Sequence, residues 1–264
     1  MDGKVYLVGA GPGAADLLTL RAARLIADAN IVLHDALVGD EILALAERAE
    51  RVDVGKRCGF ASASQTFINR RLVAAAHRHR IVVRLKGGDP TLFGRVQEEI
   101  DALTRAGIDF EIVPGVTAAL AASAQIGSPL TVRGVGRSVA FVTARLGHGE
   151  GASDWLRAAQ AADTAAIYMA GQQLQAIASE LIEAGLPSSR PVAVVENASL
   201  AQAAWQRCTL GELRDSPPQP GAGPTLLLVG EVLARCDARH AAHAGIDAGE
   251  QPSRARLEPR LRRA

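Results

Sequence analysis

Five short apolar runs in the first 113 residues each end abruptly in glycine, proline or a charged side chain. Val5–Val8 opens into Gly9-Ala-Gly-Pro-Gly13, and Ile31–Leu33 stops at His34-Asp35. Arg51–Val54 meets Gly55-Lys-Arg-Cys-Gly59, Ile81–Leu85 runs into Lys86-Gly-Gly-Asp-Pro90, and Phe110–Val113 breaks at Pro114-Gly115. Between them lie segments rich in Ala, Leu and Arg, with Leu18, Ala22, Leu25 and Ala29 at helical spacing. Strands alternating with helices predict an open α/β sheet. The unusual chemistry then falls at the carboxyl end of every strand, the edge where such sheets bind small molecules.

The run Arg84-Leu-Lys-Gly-Gly-Asp-Pro-Thr-Leu-Phe-Gly-Arg95 is the densest of these ends. Paired glycines let backbone approach a ligand closely and adopt positive φ. Asp89 adds a carboxylate at the mouth of the strand. Asp35, after three apolar strand residues, is a candidate general base at the same edge, and Lys56 would bring a cation there.

Pro and Gly in Val113-Pro-Gly-Val-Thr117 mark a joint between two α/β domains, expected at residues 1–113 and 117–236. In the second half, strands are predicted at Ser138–Thr143, Thr164–Met169, Val192–Val195, Ala204–Thr209 and Thr225–Val229. A helix over Gln172–Ala184 stops at Gly185 and Pro187, the order expected of a helix C-terminus. From residue 240 to 264 the pattern dissolves into Ala, Arg, His and Gly, which predicts a poorly ordered, solvated basic tail.

Composition narrows the function. The chain has 264 residues, 48% of them hydrophobic, enough for a sizeable core, and a formal net charge of only +1. That balance, with 3% aromatic residues, argues against nucleic-acid binding, which needs a basic footprint and stacking platforms. Cys58, Cys208 and Cys236 are odd in number and not at metal-ligand spacing, so reduced thiols and no metal are expected. Neither a signal-like N-terminus nor an apolar run of membrane length is present, and the expected location is the cytoplasm, away from membranes. There is no Gly-x-Ser-x-Gly elbow, which disfavours acyl chemistry.

Gly9-x-Gly11-x-x-Ala14, followed by Asp35, satisfies a loose dinucleotide fingerprint, so a nicotinamide-dependent oxidoreductase is a rival reading. Two details oppose it. Pro12 removes an N–H that a pyrophosphate cradle would use, and the loop runs on through Gly13-Ala-Ala-Asp16 before the apolar stripe begins.

Taken together, the runs resemble the tetrapyrrole methyltransferase family over residues 4–235. The likeness rests on Val8-Gly-Ala-Gly-Pro-Gly13 with Leu17-Leu-Thr-Leu20, Asp35-Ala-Leu-Val38 and Val54-Gly-Lys-Arg-Cys-Gly59. It continues through Arg84–Pro90, Phe93-Gly-Arg95, Val113–Ala118, Pro129-Leu-Thr131, Tyr168-Met169, Val192–Asn197 and Gly223–Gly230. The resemblance implies two α/β domains with S-adenosylmethionine in the cleft between them, S-adenosylhomocysteine as by-product, and a homodimer. It implies cofactor contacts at Pro12, Gly87, Gly88, Asp89, Leu92, Thr117, Ala118, Met169 and Ala198, with Asp35 and Lys56 as proton acceptor and donor. The Gly-Lys-Arg and Val-Glu-Asn runs point to the members that methylate uroporphyrinogen III twice to precorrin-2. A later corrin-ring or ribosomal-RNA methyltransferase, or a sensor that binds the donor without turnover, shares the fold.

This chemistry suits the residues. A methyl donor without phosphate tolerates Pro12, and methylating a pyrrole carbon requires a proton to move, a task for a carboxylate and an ammonium. A substrate with many carboxylates calls for cations, and Arg57, Arg84, Lys86, Arg95, Arg133 and Arg145 are the candidates. The chain departs from the family at Val132, where His is usual, at Thr143-Ala-Arg145 for Gly-His, and at Ala170 and Ala198 for Gly.

Overall fold

The computed structural model describes residues 3–55, 65–144, 154–219, 221 and 223–235. Lys56, Arg57, Cys58, Arg145, Cys236 and the tail from 240 to 264 lie outside the described residues.

The first half forms a five-stranded sheet in the order β3-β2-β4-β1-β5. Its strands are β1 (Lys4–Gly9), β2 (Ile31–His34), β3 (Glu50–Asp53), β4 (Ile81–Lys86) and β5 (Phe110–Val113), and every neighbouring pair is parallel. Alternation along the strands sends residues to two helical layers. Val8, Val32, Val83 and Leu85 pack with Ala22 and Ile26 of α1 (Leu20–Asp28) and Ile42 and Leu43 of α2 (Asp40–Ala44). On the other face Val5, Leu7, Ile31, Leu33 and Val82 pack with Ile68 and Leu72 of α3 (Gln65–Ala76) and Leu103 of α4 (Val96–Arg105). α1 leaves β1 on one face and α4 leaves β4 on the other, while the two strands stay paired to their last residues, Gly9 and Lys86. Open α/β sheets bind ligands just beyond the carboxyl ends of the strands at such a switch point, in a crevice between the loops. The Gly9–Gly13 and Gly87–Gly88 loops border it.

α5 (Ala118–Gln125) follows the Pro114-Gly115 joint and leads to a second sheet, ordered β6-β7-β10-β8-β9. It comprises β6 (Val139–Thr143), β7 (Thr164–Tyr168), β8 (Pro191–Glu196), β9 (Ala204–Thr209) and β10 (Thr225–Gly230). Here β6 and β7 are parallel, while β10 runs antiparallel to both its neighbours and β9 antiparallel to β8. α5 covers one face through Ala119 and Ala122. The other face is covered by α6 (Trp155–Ala161), α7 (Leu174–Glu183) and α8 (Leu210–Asp215). Gly185 takes a φ of +105° past the end of α7, the left-handed stop expected of that glycine.

Candidate active site

Three loops of the first sheet are knitted together through glycine. Gly88 N–H donates to the Gly11 carbonyl at 2.7 Å, and Gly11 N–H to that of Gly88 at 3.2 Å. A Cβ on Gly9 would lie 2.7 Å from Gly115 Cα and from the Gly88 carbonyl oxygen. A Cβ on Gly115 would collide with that same oxygen and stand 2.9 Å from Gly9 Cα. Only glycine permits backbones this close. At Gly88, with φ +68°, the absent side chain faces open space, with nothing within 4 Å of a Cβ. The loops therefore meet on one side of Gly88 and leave a hollow on the other.

Asp89 fastens the knot. Its Oδ1 accepts from Thr91 N–H at 2.8 Å and from the Thr91 hydroxyl at 2.5 Å, while Oδ2 accepts from Gly115 N–H at 3.0 Å. Partial burial pushes the Asp89 carboxyl up. The bonds from the Thr91 hydroxyl and from the Gly115 and Thr91 amides together outweigh it and hold the group below its ordinary value.

The second sheet closes the ring. Tyr168, at the end of β7, places its phenol oxygen 2.6 Å from Thr117 Oγ1 and accepts from Ala119 N–H, in the first turn of α5, at 3.3 Å. Its ring stands 5.0 Å from that of Phe93, in the β4–α4 loop, and 6.1 Å edge-on from Phe141. Ala14 N–H donates to Ser199 Oγ, Ser199 N–H donates to Gln125 Oε1, and Leu200 packs against Gly13. Loops after β1, β4, β5, β7 and β8 are thus joined to one another by these contacts. Among the described residues the five non-glycine residues with left-handed φ, Phe93, Arg95, Met169, Asn197 and Ser199, all lie in these loops. Such backbone is costly and concentrates at functional sites.

Asp35 sits at the end of β2 with its side chain 30% exposed, and Arg84 Nη2 donates to its Oδ1 at 2.5 Å. Arg84 is fixed on every side. Nε donates to Glu99 Oε1 at 2.9 Å, and Nη1 to the carbonyls of Leu85 at 3.1 Å and Leu33 at 3.4 Å. Lys86 Nζ donates to the same Glu99 oxygen at 3.0 Å. Burial pushes the Lys86 ammonium down, and the neighbouring Arg84 charge adds to this against the pull of Glu99. For Arg84, burial works against the charge, but Glu99 and Asp35 together raise it above its ordinary value.

These positions correct the sequence reading of Arg84 and Lys86 as cations facing a substrate. They are 1% and 3% exposed and ion-paired beneath the sheet edge. The reason is register: both alternate in phase with Val82, so they face α3 and α4 rather than the crevice. Arg95 is exposed and pairs with Glu98 at 2.7 Å, and Arg133 is exposed near Val132. Pro12, Gly87, Gly88, Asp89, Leu92, Thr117, Ala118, Met169 and Ala198 all lie on the joined loops, with Met169 45% exposed and Ala198 buried. Gly55 packs against Ala36, the residue after Asp35, and Lys56 follows Gly55 in the chain.

Sequence reasoning missed Glu99, Tyr168 as a bridge, and the Ser199–Gln125 link. Glu99 had a legible signal: it precedes Leu103 by four residues on a stripe that should be apolar. The structure also weighs on the dinucleotide reading. Gly11 N–H is spent on Gly88, and α1 begins at Leu20, capped by Thr19, well away from the glycines. A pyrophosphate would find neither a free loop amide at Gly11 nor an adjacent α-helix N-terminus, since only a single 3-10 turn, Ala15–Leu17, follows the glycines. Among the described residues no His, Cys, Asp and Glu group is arranged to hold a metal ion. No described helix is long and apolar enough to cross a membrane.

Residues 4–214 match the family model for Tetrapyrrole (Corrin/Porphyrin) Methylases. A uroporphyrinogen-III C-methyltransferase of Pseudomonas aeruginosa is 45% identical over 233 residues, covering 88% of this chain and 95% of that protein. A siroheme synthase of Sodalis glossinidius is 46% identical over 233 residues, but these make up 88% of this chain and only 49% of the synthase. The chain thus spans about half the length of such synthases. Among solved structures, the uroporphyrin III C-methyl transferase of Thermus thermophilus superposes with a TM-score of 0.78 at 41% identity, covering 88% of this chain and 99% of that one. The same Thermus enzyme complexed with S-adenosyl homocysteine matches equally well.

Proposed function

The chain belongs to the tetrapyrrole (corrin/porphyrin) methylase family, and from that premise we propose that it is an S-adenosylmethionine-dependent C-methyltransferase acting on uroporphyrinogen III. Two successive methylations at pyrrole carbons give precorrin-1 and then precorrin-2, and each turnover releases S-adenosylhomocysteine. The observation that carries the proposal is the glycine knot, open at Gly88, whose loops are tied to Tyr168 and the start of α5 through Thr117 and Phe93.

The residues fit the donor. The hollow beside Gly88 admits a ligand against bare backbone, Phe93, Tyr168 and the exposed Met169 side chain offer polarisable surface, and no loop group demands a phosphate. In this reading Pro12, Gly87, Gly88, Asp89, Leu92, Thr117, Ala118, Met169 and Ala198 hold the donor. Asp89 shapes the cradle from behind by tying the β4 loop to Gly115. Bound there, S-adenosylmethionine supplies an electrophilic methyl on a sulfonium.

The protein's work is alignment, exclusion of water and proton transfer. Asp35, aimed by Arg84 and open to the crevice, takes the proton released when the ring carbon is alkylated. Lys56 is assigned to the donor side of that transfer. Arg95, exposed in the loop after β4, is a described cation placed to meet substrate carboxylates, with Arg133, Arg57 and Arg145 as further candidates. We further propose that the chain works as a homodimer in the cytoplasm, and that its product feeds sirohaem or cobalamin-type synthesis.

The test is turnover. Incubation of the protein with uroporphyrinogen III and S-adenosylmethionine, followed by mass spectrometry, should show addition of one and then two methyl groups. Binding of the donor with no methylated product would show a sensor instead, and preferential binding of NADP would revive the oxidoreductase.

A further inference from the structure

The buried charges behind Asp35 have a feature that packing does not require. Glu99 is 0% exposed, Arg84 and Lys86 nearly so, and one oxygen of Glu99, Oε2, has no hydrogen-bond partner among the described residues. Removing such groups from water is expensive, and well-packed apolar side chains of similar volume commonly serve stability as well or better. Four charges, Asp35, Arg84, Lys86 and Glu99, sum to zero, and only Asp35 reaches the open edge of the sheet. Whatever the buried group does for function passes through Asp35.

The geometry shows how. Glu99 Oε1 is a single anchor on which Arg84 Nε at 2.9 Å, Lys86 Nζ at 3.0 Å and Gln65 Nε2 at 3.4 Å converge. With Nε held there and Nη1 held by the Leu33 and Leu85 carbonyls, the planar guanidinium has one orientation. That orientation puts Nη2 on Asp35 Oδ1. Without the anchor the fork is free to turn about its stem, and Asp35 loses its fixed partner. Lys86 puts a second cation on the same Glu99 oxygen, so that two cations face the Glu99 and Asp35 carboxylates.

We infer that Glu99 is a positioning residue for the reaction, acting from α4 through Arg84 to fix the Asp35 carboxylate against the substrate. The inference rests on the proposed methyltransferase reading for its catalytic consequence, but not for its structural one. Lys86 belongs to the same device as the counter-charge of the anchor.

A double-mutant cycle separates this from a plain structural role. Glu99→Gln should lower kcat by about tenfold to a hundredfold, the effect of a small misplacement of a reacting group. The dissociation constant for S-adenosylmethionine should stay at its wild-type value. Introduced into Asp35→Asn, the same substitution should change the residual rate less than about twofold, because the group it positions is gone. An equal fold-loss in both backgrounds, or a wild-type kcat for Glu99→Gln, overturns the inference. If Glu99→Gln fails to fold, the charge-balanced Lys86→Met/Glu99→Gln protein takes its place in the cycle. A crystal structure of whichever variant folds decides the point without activity: Asp35 and Arg84 should leave their wild-type conformers, and unchanged conformers overturn the inference. Should the wild-type protein itself fail to methylate uroporphyrinogen III, the proposed function is what fails, and the crystallographic result still decides for or against Glu99.

Discussion

Gly88→Ala and Gly115→Ala are one methyl each, in two loops that the glycine knot ties together, and they should fail in opposite ways. At Gly115 the new Cβ would strike the Gly88 carbonyl and crowd Gly9 Cα at 2.9 Å, all rigid backbone. Overpacking of this kind costs about 1–3 kcal/mol. The loop must also shift off Asp89, straining a charge-assisted bond from Gly115 N–H worth about 1.5–3 kcal/mol. The combined loss of about 2.5–6 kcal/mol corresponds to a fall in Tm of roughly 5–24 °C. At Gly88 the Cβ meets nothing within 4 Å, so the cost is that of the left-handed φ of +68° alone. That is about 1–2 kcal/mol, or roughly 2–8 °C in Tm. The methyl, however, enters the hollow assigned to the cofactor. Loss of one close backbone contact there should weaken S-adenosylmethionine binding at least tenfold, about 1.4 kcal/mol. Thermal unfolding and titration calorimetry on both variants read out the two effects. A Gly88→Ala protein that binds the donor with wild-type affinity would refute the assignment of the cradle. A Gly115→Ala protein with wild-type Tm would refute the account of the knot.

Four further outcomes follow from the same geometry. Asp35→Asn should keep donor affinity while losing most of kcat, since the shape survives and the base does not. Lys56→Ala separates two roles: a fall in kcat supports proton transfer, whereas a rise in substrate KM alone assigns Lys56 to carboxylate binding. Asp89→Asn should lower stability at pH 7 by about 1–2 kcal/mol, read by chemical denaturation. Because the folded state holds the Asp89 carboxyl below its ordinary value, its contribution is present above about pH 4, the unfolded value, and is lost as pH falls through the lower folded value. The gap between wild type and variant should therefore close in acid, and a gap that widens there would contradict the bonding. Tyr168→Phe removes the acceptor of Ala119 N–H and the partner of Thr117, and should cost about 1–3 kcal/mol.

Much of the first sheet was legible because each of its strands is short, apolar and punctuated. Glycine and proline mark where β1, β4 and β5 stop, and the parallel order places those stops on one edge. The second sheet was legible as strands but not as an arrangement. Nothing in Thr225–Gly230 announces that β10 sits between β7 and β8 and runs against both. The candidate site divides the same way. Backbone features such as Gly88 and Gly115 declare themselves, since glycine at a strand end has few other purposes. Charged residues did not, because Arg84 and Lys86 look like surface cations until the phase of β4 and the buried Glu99 on α4 are considered together. Tyr168 was invisible as a bridge because its partners, Thr117, Ala119 and Phe93, come from distant parts of the chain that only the assembled fold brings together.

Where the methyl donor binds is the most direct test. A crystal structure grown with S-adenosylhomocysteine should place the ligand in the hollow beside Gly88, against the Tyr168-Met169 corner and the start of α5, with Asp35 facing the remaining space. Density for the ligand elsewhere, with that hollow left to solvent, would contradict it.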